Sequence, residues 1–345
     1  MVTPSLYHMF KAYTEFQKLK KVMIGSTISS TIVKRDPKIR SKLSPTTQRL
    51  LTQLLDETEE DYQNLIKVCE DFGVKVVRPI YSQHSLDPYL MQPRDNAIVL
   101  DDKLVICQSA QLTAFDQYIN PLGDKNIIKN DFTKQLNPPS IVRVGKDIIV
   151  DKQTNIESNK EYGVNYLREW LSPLGYNIIF TETHNLKFKN NWSHTDACFS
   201  IQKPGVALTI NEAELYTEKL FKKWDILTVK NSWEQMEKWT TFKKDTKAYT
   251  FIDKKYHDDA WNSLITNWFS NWVGYAKETV FDVNVLSLDE EHVVVSNYNK
   301  EVFDFFKKQK IEPIISPWRH RYFWDGGIHC ITLDLEREGG CEKYL

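Results

Sequence analysis

Two apolar strands joined by a tight polar turn, then a helix, then a further short strand: this unit recurs along the chain. A repeated unit with an apolar face must stack its copies to bury that face. Residues 96–100 turn at Asp101-Asp102 into 103–107, and 140–144 turn at Gly145-Lys146 into 147–150. Residues 197–201 turn at Lys203-Pro204-Gly205 into 206–210, and 284–288 turn at Asp289-Glu290 into 292–295. A fifth copy pairs 330–335 near the C-terminus with the short strand 22–24 near the N-terminus. Helical spacing predicts helices over 161–170, 212–221, 301–308 and 47–72, each leading to a short strand, at 176–180, 225–229, 311–315 and 74–77. Gly73 reads as the stop of the last of these helices. The first unit reads as abbreviated, because 108–136 shows no clean helix and strand.

Five ββαβ units that close the N-terminus onto the C-terminus predict an α/β five-bladed ring, a propeller of pseudo-symmetric units in one domain spanning 1–345. The simpler alternative is an α+β domain with ordinary hairpins. Residues 230–278 stand outside the repeat and carry Trp233, Trp239, Trp261, Trp268 and Trp272, as expected for an insertion packing as a lid or flank.

Charge excludes several classes of function. The 45 Lys and Arg balance 46 Asp and Glu, leaving no basic excess for nucleic acid or a membrane surface. The first residues lack a signal-peptide pattern, and no apolar run approaches a membrane span. Five scattered cysteines, with neither metal spacing nor a disulfide framework, fit a reducing cytoplasm.

The functional signal is positional. Pro93-Arg94-Asp95 precedes the first strand of unit one, and Asn137-Pro138-Pro139 that of unit two. Asn191-Trp192-Ser193-His194-Thr195-Asp196 precedes unit three, and Gly326-Gly327-Ile328-His329-Cys330 leads into unit five. In a ring these starts lie at one end, so Asp95, Asn137, His194, Asp196 and Cys330 should converge on one pocket. Carboxylates in a closed pocket need a cation, and the planar fork of a guanidinium matches two of them. A thiol beside an imidazole then points to Cys330 attacking a guanidinium carbon, with His194 moving protons. Each residue alone has a plainer reading. Cys330 would be buried packing, His194 a cap, Asp95 a turn residue paired with Arg94, and Asp196 a solvated strand start.

These residues resemble the amidinotransferase family typified by glycine amidinotransferase, which has the pentein fold. Residues 15–25, Pro93-Arg94-Asp95, 143–147, 194–197, 284–290 and 326–330 follow in the family's order, so the likeness is nearly full length. The resemblance implies that Cys330 becomes covalently amidinated, that His194 is the catalytic histidine, and that Asp95 and Asp196 grip the guanidinium. It also implies that Asn191 lines the pocket. Where the family has a catalytic aspartate, this chain has Asn137. Asparagine can orient an imidazole but cannot offset its charge when protonated. The family's carboxylate-binding arginine falls near Glu212-Ala213, and a serine pair near Lys277-Glu278. The implied partners are a small guanidino donor, with L-arginine the default, and an amine acceptor. Family members are often dimers, and a homodimer is the corresponding expectation. No metal or organic cofactor is expected, since both steps are substitutions at one carbon. Two alternatives stand beside transfer: a guanidine-hydrolysing pentein of arginine- or agmatine-deiminase type, and a guanidinium-binding protein without turnover.

Overall fold

The computed structural model describes residues 10–27, 45–79, 91–107, 126–129, 136–151, 162–181, 194–230, 279, 281–324 and 326–345. Asn191 and residues 231–278, nearly the whole tryptophan-rich segment, lie outside them. The described residues form five three-stranded sheets.

The chain opens with β1 (Lys18–Ile24), α1 (Pro45–Asp71) and β2 (Lys75–Val77). Unit one is β3 (Ala97–Leu100), β4 (Lys103–Ile106) and β5 (Ile127–Lys129). Unit two is β6 (Ile141–Val144), β7 (Asp147–Asp151), α2 (Tyr162–Leu171) and β8 (Asn177–Thr181). Unit three is β9 (Phe199–Lys203), β10 (Val206–Ile210), α3 (Glu214–Leu220) and β11 (Asp225–Val229). Unit four is β12 (Leu286–Ser287), β13 (His292–Val295), α4 (Lys300–Lys308) and β14 (Glu312–Ile315). A short helix α5 (Arg321–Trp324) then leads to β15 (Thr332–Glu338).

All five sheets share one pairing. The first two strands are antiparallel, and the third lies parallel to the second. Antiparallel neighbours can be joined by a tight turn, whereas a parallel neighbour needs a crossover, which is where the helices sit. In the fifth sheet β15 pairs antiparallel with β1, and β2 is parallel to β1, so the chain's two ends close one blade. The first unit does have a third strand, since β5 pairs with β4, while residues 108–125, between the two strands, lie outside the described residues. A three-residue strand carries too little pattern to be read as a period. The fifth inner strand begins at Thr332 rather than Cys330, which leaves Cys330 in the preceding turn.

Burial grades outward within each blade. β3, β6, β7 and β10 are buried along their whole length, as largely apolar strands covered on both faces are. The third strands β8, β11 and β14 are half-exposed. Apolar clusters join each blade to the next. Ile98 and Val105 of blade one meet Ile141 and Ile148 of blade two. Val142, Phe199 and Val285 link blades two, three and four. Leu286 and Val294 meet Val22 and Ile331, and Met23 and Leu333 meet Val99 and Leu104. The ring therefore closes through packing as well as through the β1–β15 pairing.

Local signals place the helices. Leu54, Leu55, Thr58, Tyr62, Leu65 and Cys69 of α1 are buried at helical spacing, and Gly73, at φ +73°, ends the helix. The Asn299 side chain caps α4 by accepting from the Glu301 and Val302 amides. Among the described residues no helix is long and apolar enough to cross a membrane.

At the centre lies a buried ionic knot. Asp334 is 0% exposed and accepts from Arg94, from Arg143 Nη2 at 2.6 Å and from Arg337 Nε at 2.7 Å. Arg143 also donates to both Glu15 oxygens at 2.7 Å, and to the Val99 carbonyl at 3.2 Å. Burial alone would raise the Asp334 pKa, but Arg337, Arg94 and Arg143 outweigh it and hold the carboxyl well below the usual range. Removing one partner leaves the others buried and uncompensated, so Asp334→Asn should cost about 3–5 kcal/mol in denaturant unfolding near neutral pH. A depressed folded-state pKa means that this stability is present above the unfolded-state pKa and is lost as pH falls through the folded value. The wild-type and Asp334→Asn stabilities should therefore converge only on strong acidification, measured as unfolding midpoints against pH.

Candidate active site

Each inner strand is preceded by a tight turn with an i→i+3 bond. The bonds run from the Asn96 amide to the Pro93 carbonyl, Ser140 to Asn137, Cys198 to Thr195, Asn284 to Phe281, and Thr332 to His329. The turn Pro93–Asp95 packs against Pro138–Ser140, which packs against Thr195–Ala197, and β15 packs against the first of them. The repeat thus sets its turns side by side at one end of the ring.

Cys330 is 4% exposed and held from three directions. Asn284, from the turn before β12, sets its Nδ2 3.2 Å from Sγ, and its Oδ1 accepts from the His329 and Cys330 amides at 3.0 and 3.2 Å. The same Nδ2 donates to the Asp196 carbonyl at 3.0 Å. Asp196 Oδ2 lies 3.6 Å from Sγ and 2.8 Å from His329 Nδ1. His329 Nε2 reaches Glu15 Oε2 at 3.4 Å, so this imidazole bridges the site and the ionic knot. Upstream, the Gly326 carbonyl accepts from Trp318 Nε1 at 2.9 Å, and the Trp324 carbonyl from Gln92 Nε2 at 2.7 Å.

The electrostatics separate the two acids. Burial and the neighbouring Asp196 charge push the Asp95 carboxyl well above its ordinary value, with Arg94 partly opposing. Burial would do the same to Asp196, but the hydrogen bond from His329 and its charge, followed by His194 and Arg94, hold it below the ordinary value. Burial and Arg94 would depress His329, but its bonds to Asp196 and Glu15 and the Asp196 charge raise it above its ordinary value. Burial, then Asp196 and Asp95, push the Cys330 thiol well up, against the Gly327 amide and Asn284. The thiol and Asp95 are thus pushed toward their protonated forms and Asp196 toward its ionised one. Among the described residues, one oxygen of each acid, Asp95 Oδ1 and Asp196 Oδ1, is buried without a hydrogen-bond partner. Such oxygens on two acids whose charges act on the same thiol form an acceptor set for a planar cation.

The structure therefore brings Cys330, Asp95 and Asp196 together. His194 begins the turn before β9, close enough for its charge to act on Asp196. Asn137 begins the turn before β6, between the turns carrying Asp95 and Asp196. Arg94 is not simply the turn partner of Asp95, because its guanidinium bonds Asp334 and the Thr332 carbonyl. Sequence reasoning passed over Asn284, His329 and Glu15. Asn284 carried one legible signal, since it stands at the start of unit four as Asp95 and Asp196 stand before units one and three. Among the described residues no group of three or more His, Cys, Asp and Glu is arranged to hold a metal ion.

No protein-family model matches the chain. Over 97% of its length, and 96% of the relative's, it is 22% identical to the L-arginine:L-lysine amidinotransferase of Pseudomonas savastanoi pv. phaseolicola. Over 63% of its length it is 25% identical to the mitochondrial glycine amidinotransferase of Xenopus laevis, spanning 42% of that protein. Among solved structures it is similar to an amidinotransferase of the saxitoxin biosynthetic pathway from Microseira wollei, with a TM-score of 0.65, 18% identity, and 97% and 99% of the two chains covered. A dimethylarginine dimethylaminohydrolase aligns with a TM-score of 0.56 and 11% identity over 91% of this chain and 99% of the other. The ring is a pentein, an α/β propeller of five ββαβ units. With its sequence likeness to amidinotransferases over nearly the whole chain, the protein is an amidinotransferase-like enzyme.

The loop before Cys330 has no room for a side chain. A Cβ on Gly327 would stand 2.6 Å from Asn284 Oδ1 and 2.9 Å from the Asn284 carbonyl. Gly327→Ala should therefore displace Asn284 and cost about 1–3 kcal/mol, read by chemical denaturation. Turnover should fall by about tenfold or more as the sulfur moves out of register.

Proposed function

We propose that this enzyme transfers an amidino group from a guanidino donor to an amine acceptor, with Cys330 as the nucleophile. The observation that carries the proposal is the pair of buried acids, Asp95 and Asp196, whose Oδ1 atoms have no hydrogen-bond partner among the described residues and whose charges act on the Cys330 thiol. A guanidinium seated between the two acids would satisfy both oxygens and bring positive charge to the thiol. Its arrival favours release of the Asp95 proton to solvent and passage of the Cys330 proton to His194.

The thiolate then attacks the guanidinium carbon. A C–S bond forms, the C–N bond to the donor breaks, and the donor amine leaves with a proton delivered by His194. The S-amidino-cysteine is cationic and is held by Asp196 and Asp95. The acceptor amine gives a proton to His194 and attacks the same carbon, so a C–N bond forms and the C–S bond breaks. Asn137 and Asn191 complete this reading as residues that orient His194 and line the pocket. L-Arginine is the donor named for the nearly full-length relative and is the first donor to test.

The competing reading is hydrolysis of the same intermediate, supported by the shared fold with a dimethylarginine dimethylaminohydrolase. Product identity separates the two. Incubation with arginine and a panel of amines, lysine and glycine included, should release ornithine with a new guanidino compound. Citrulline with ammonia would instead mean hydrolysis. Intact mass should show one amidino adduct on the wild type and none on Cys330→Ala, whose circular dichroism should match the wild type. Turnover surviving in Cys330→Ala would refute the nucleophile assignment. Absence of both adduct and ornithine in the wild type would leave guanidinium binding without turnover.

Asn137 stands where the resemblance expects an acid, and an acid there would offset the His194 charge as it takes up a proton. Asn137→Asp should therefore fold and raise kcat with arginine, read by initial rates. A fall would show that the amide serves a different arrangement.

A further inference from the structure

The Asn284 carboxamide has no spare valence. Its Oδ1 faces two backbone donors, the His329 and Cys330 amides, and neither could donate to an NH2 group. The orientation of the amide is therefore dictated by its partners, and Nδ2 must face the sulfur and the Asp196 carbonyl. Sγ then accepts from Nδ2 at 3.2 Å and directs its own proton toward Asp196 Oδ2, 3.6 Å away. This is the hydrogen-bonding pattern a thiolate keeps once that proton has left. A hydrogen bond to an ionised acceptor is roughly twice as strong as one to a neutral one. The contact therefore tightens as the thiol ionises. Asn284 is 1% exposed, so water does not compete for it.

We propose that Asn284 is a catalytic residue that stabilises the Cys330 thiolate through Nδ2 while its Oδ1 clamps the loop carrying that cysteine. This rests on the reading of Cys330 as the nucleophile. The groups acting on the thiol divide by sign. Asp95 and Asp196, from the turns before β3 and β9, oppose ionisation. The Gly327 amide and Asn284 favour it, while His329, His194 and Arg94 act on Asp196 behind them. Asn284 is the side chain among these that bonds the sulfur directly as a donor.

The test is the pH profile of Cys330 alkylation by iodoacetamide between about pH 6 and about pH 10. It is read by mass spectrometry on the Cys330 peptide, so that the half-exposed Cys107 and Cys341 do not contribute. Asn284→Asp keeps the two acceptor bonds and removes the donors, whereas Asn284→Ala removes all four without adding charge. The profile should move up by about one to two pH units in both variants. Alkylation near pH 8 should slow about tenfold or more in Asn284→Asp. A purely structural role predicts the opposite, since a loosened loop exposes the thiol and speeds its alkylation. An unshifted profile in either folded variant overturns the proposal. So does failure of both to fold, which would make Asn284 a structural clamp alone. Because the readout does not require turnover, a normal arginine adduct with an unshifted profile would sink only the Asn284 assignment. A wild type that forms no adduct would sink the nucleophile reading and leave the alkylation comparison standing.

Discussion

Asp334, with no exposed surface, accepts from three arginines contributed by blades one, two and five, and the rest of the molecule is arranged around that contact. Arg94 comes from the turn before β3, Arg143 from β6, and Arg337 from the same strand as Asp334. Glu15, just ahead of β1, shares Arg143. Apolar packing between blades is adaptable, because branched aliphatic faces fit together in several registers. Buried ions are not. A blade displaced by a few ångströms would leave a desolvated charge without its partner, at a cost packing could not recover. The knot therefore ties the ring to one register, and with it the relative positions of the five turns at the ring's end.

The knot and the site share electrostatics. His329 stands between them, bonded to Glu15 on one side and to Asp196 on the other. Its positive charge, with those of Arg94 and His194, keeps Asp196 ionised in surroundings that would otherwise protonate it. Asp95 is pushed the other way, by burial and by Asp196 itself. Two carboxyl groups that act on each other are thus shifted in opposite directions, and the difference comes from what lies behind each of them. The site is buried and acid-lined, with its thiol pushed toward the protonated form, and a cation is the ligand that would offset both acids at once.

How much of this was legible depended on the range of the interaction. The repeat could be read because each hairpin carries its own turn and its own apolar run, and five copies in succession make one pattern. β5 escaped because three residues cannot show a period, and the start of β15 was misplaced because Cys330 is apolar enough to pass for a strand residue. Asp95, Asp196 and Cys330 could be shortlisted because they stand at equivalent points of the repeat. Asn284 stands at such a point too, but asparagine before a strand is ordinary turn chemistry, and nothing local marks it as facing a sulfur. His329 and Glu15 lie 314 positions apart along the chain, and no spacing rule links them.

By itself, the sequence determined the ββαβ units, their number, the closure of the chain's ends and the polar residues offered at the strand starts. These follow from short-range causes: alternation of apolar residues, turn-forming dipeptides, and helices that stop at glycine. Tertiary structure alone decided which offered residues meet, which acid is pushed toward its protonated form, and which amide faces the thiol. Those outcomes depend on desolvation and on charges brought together from distant blades, and neither exists until the ring has closed.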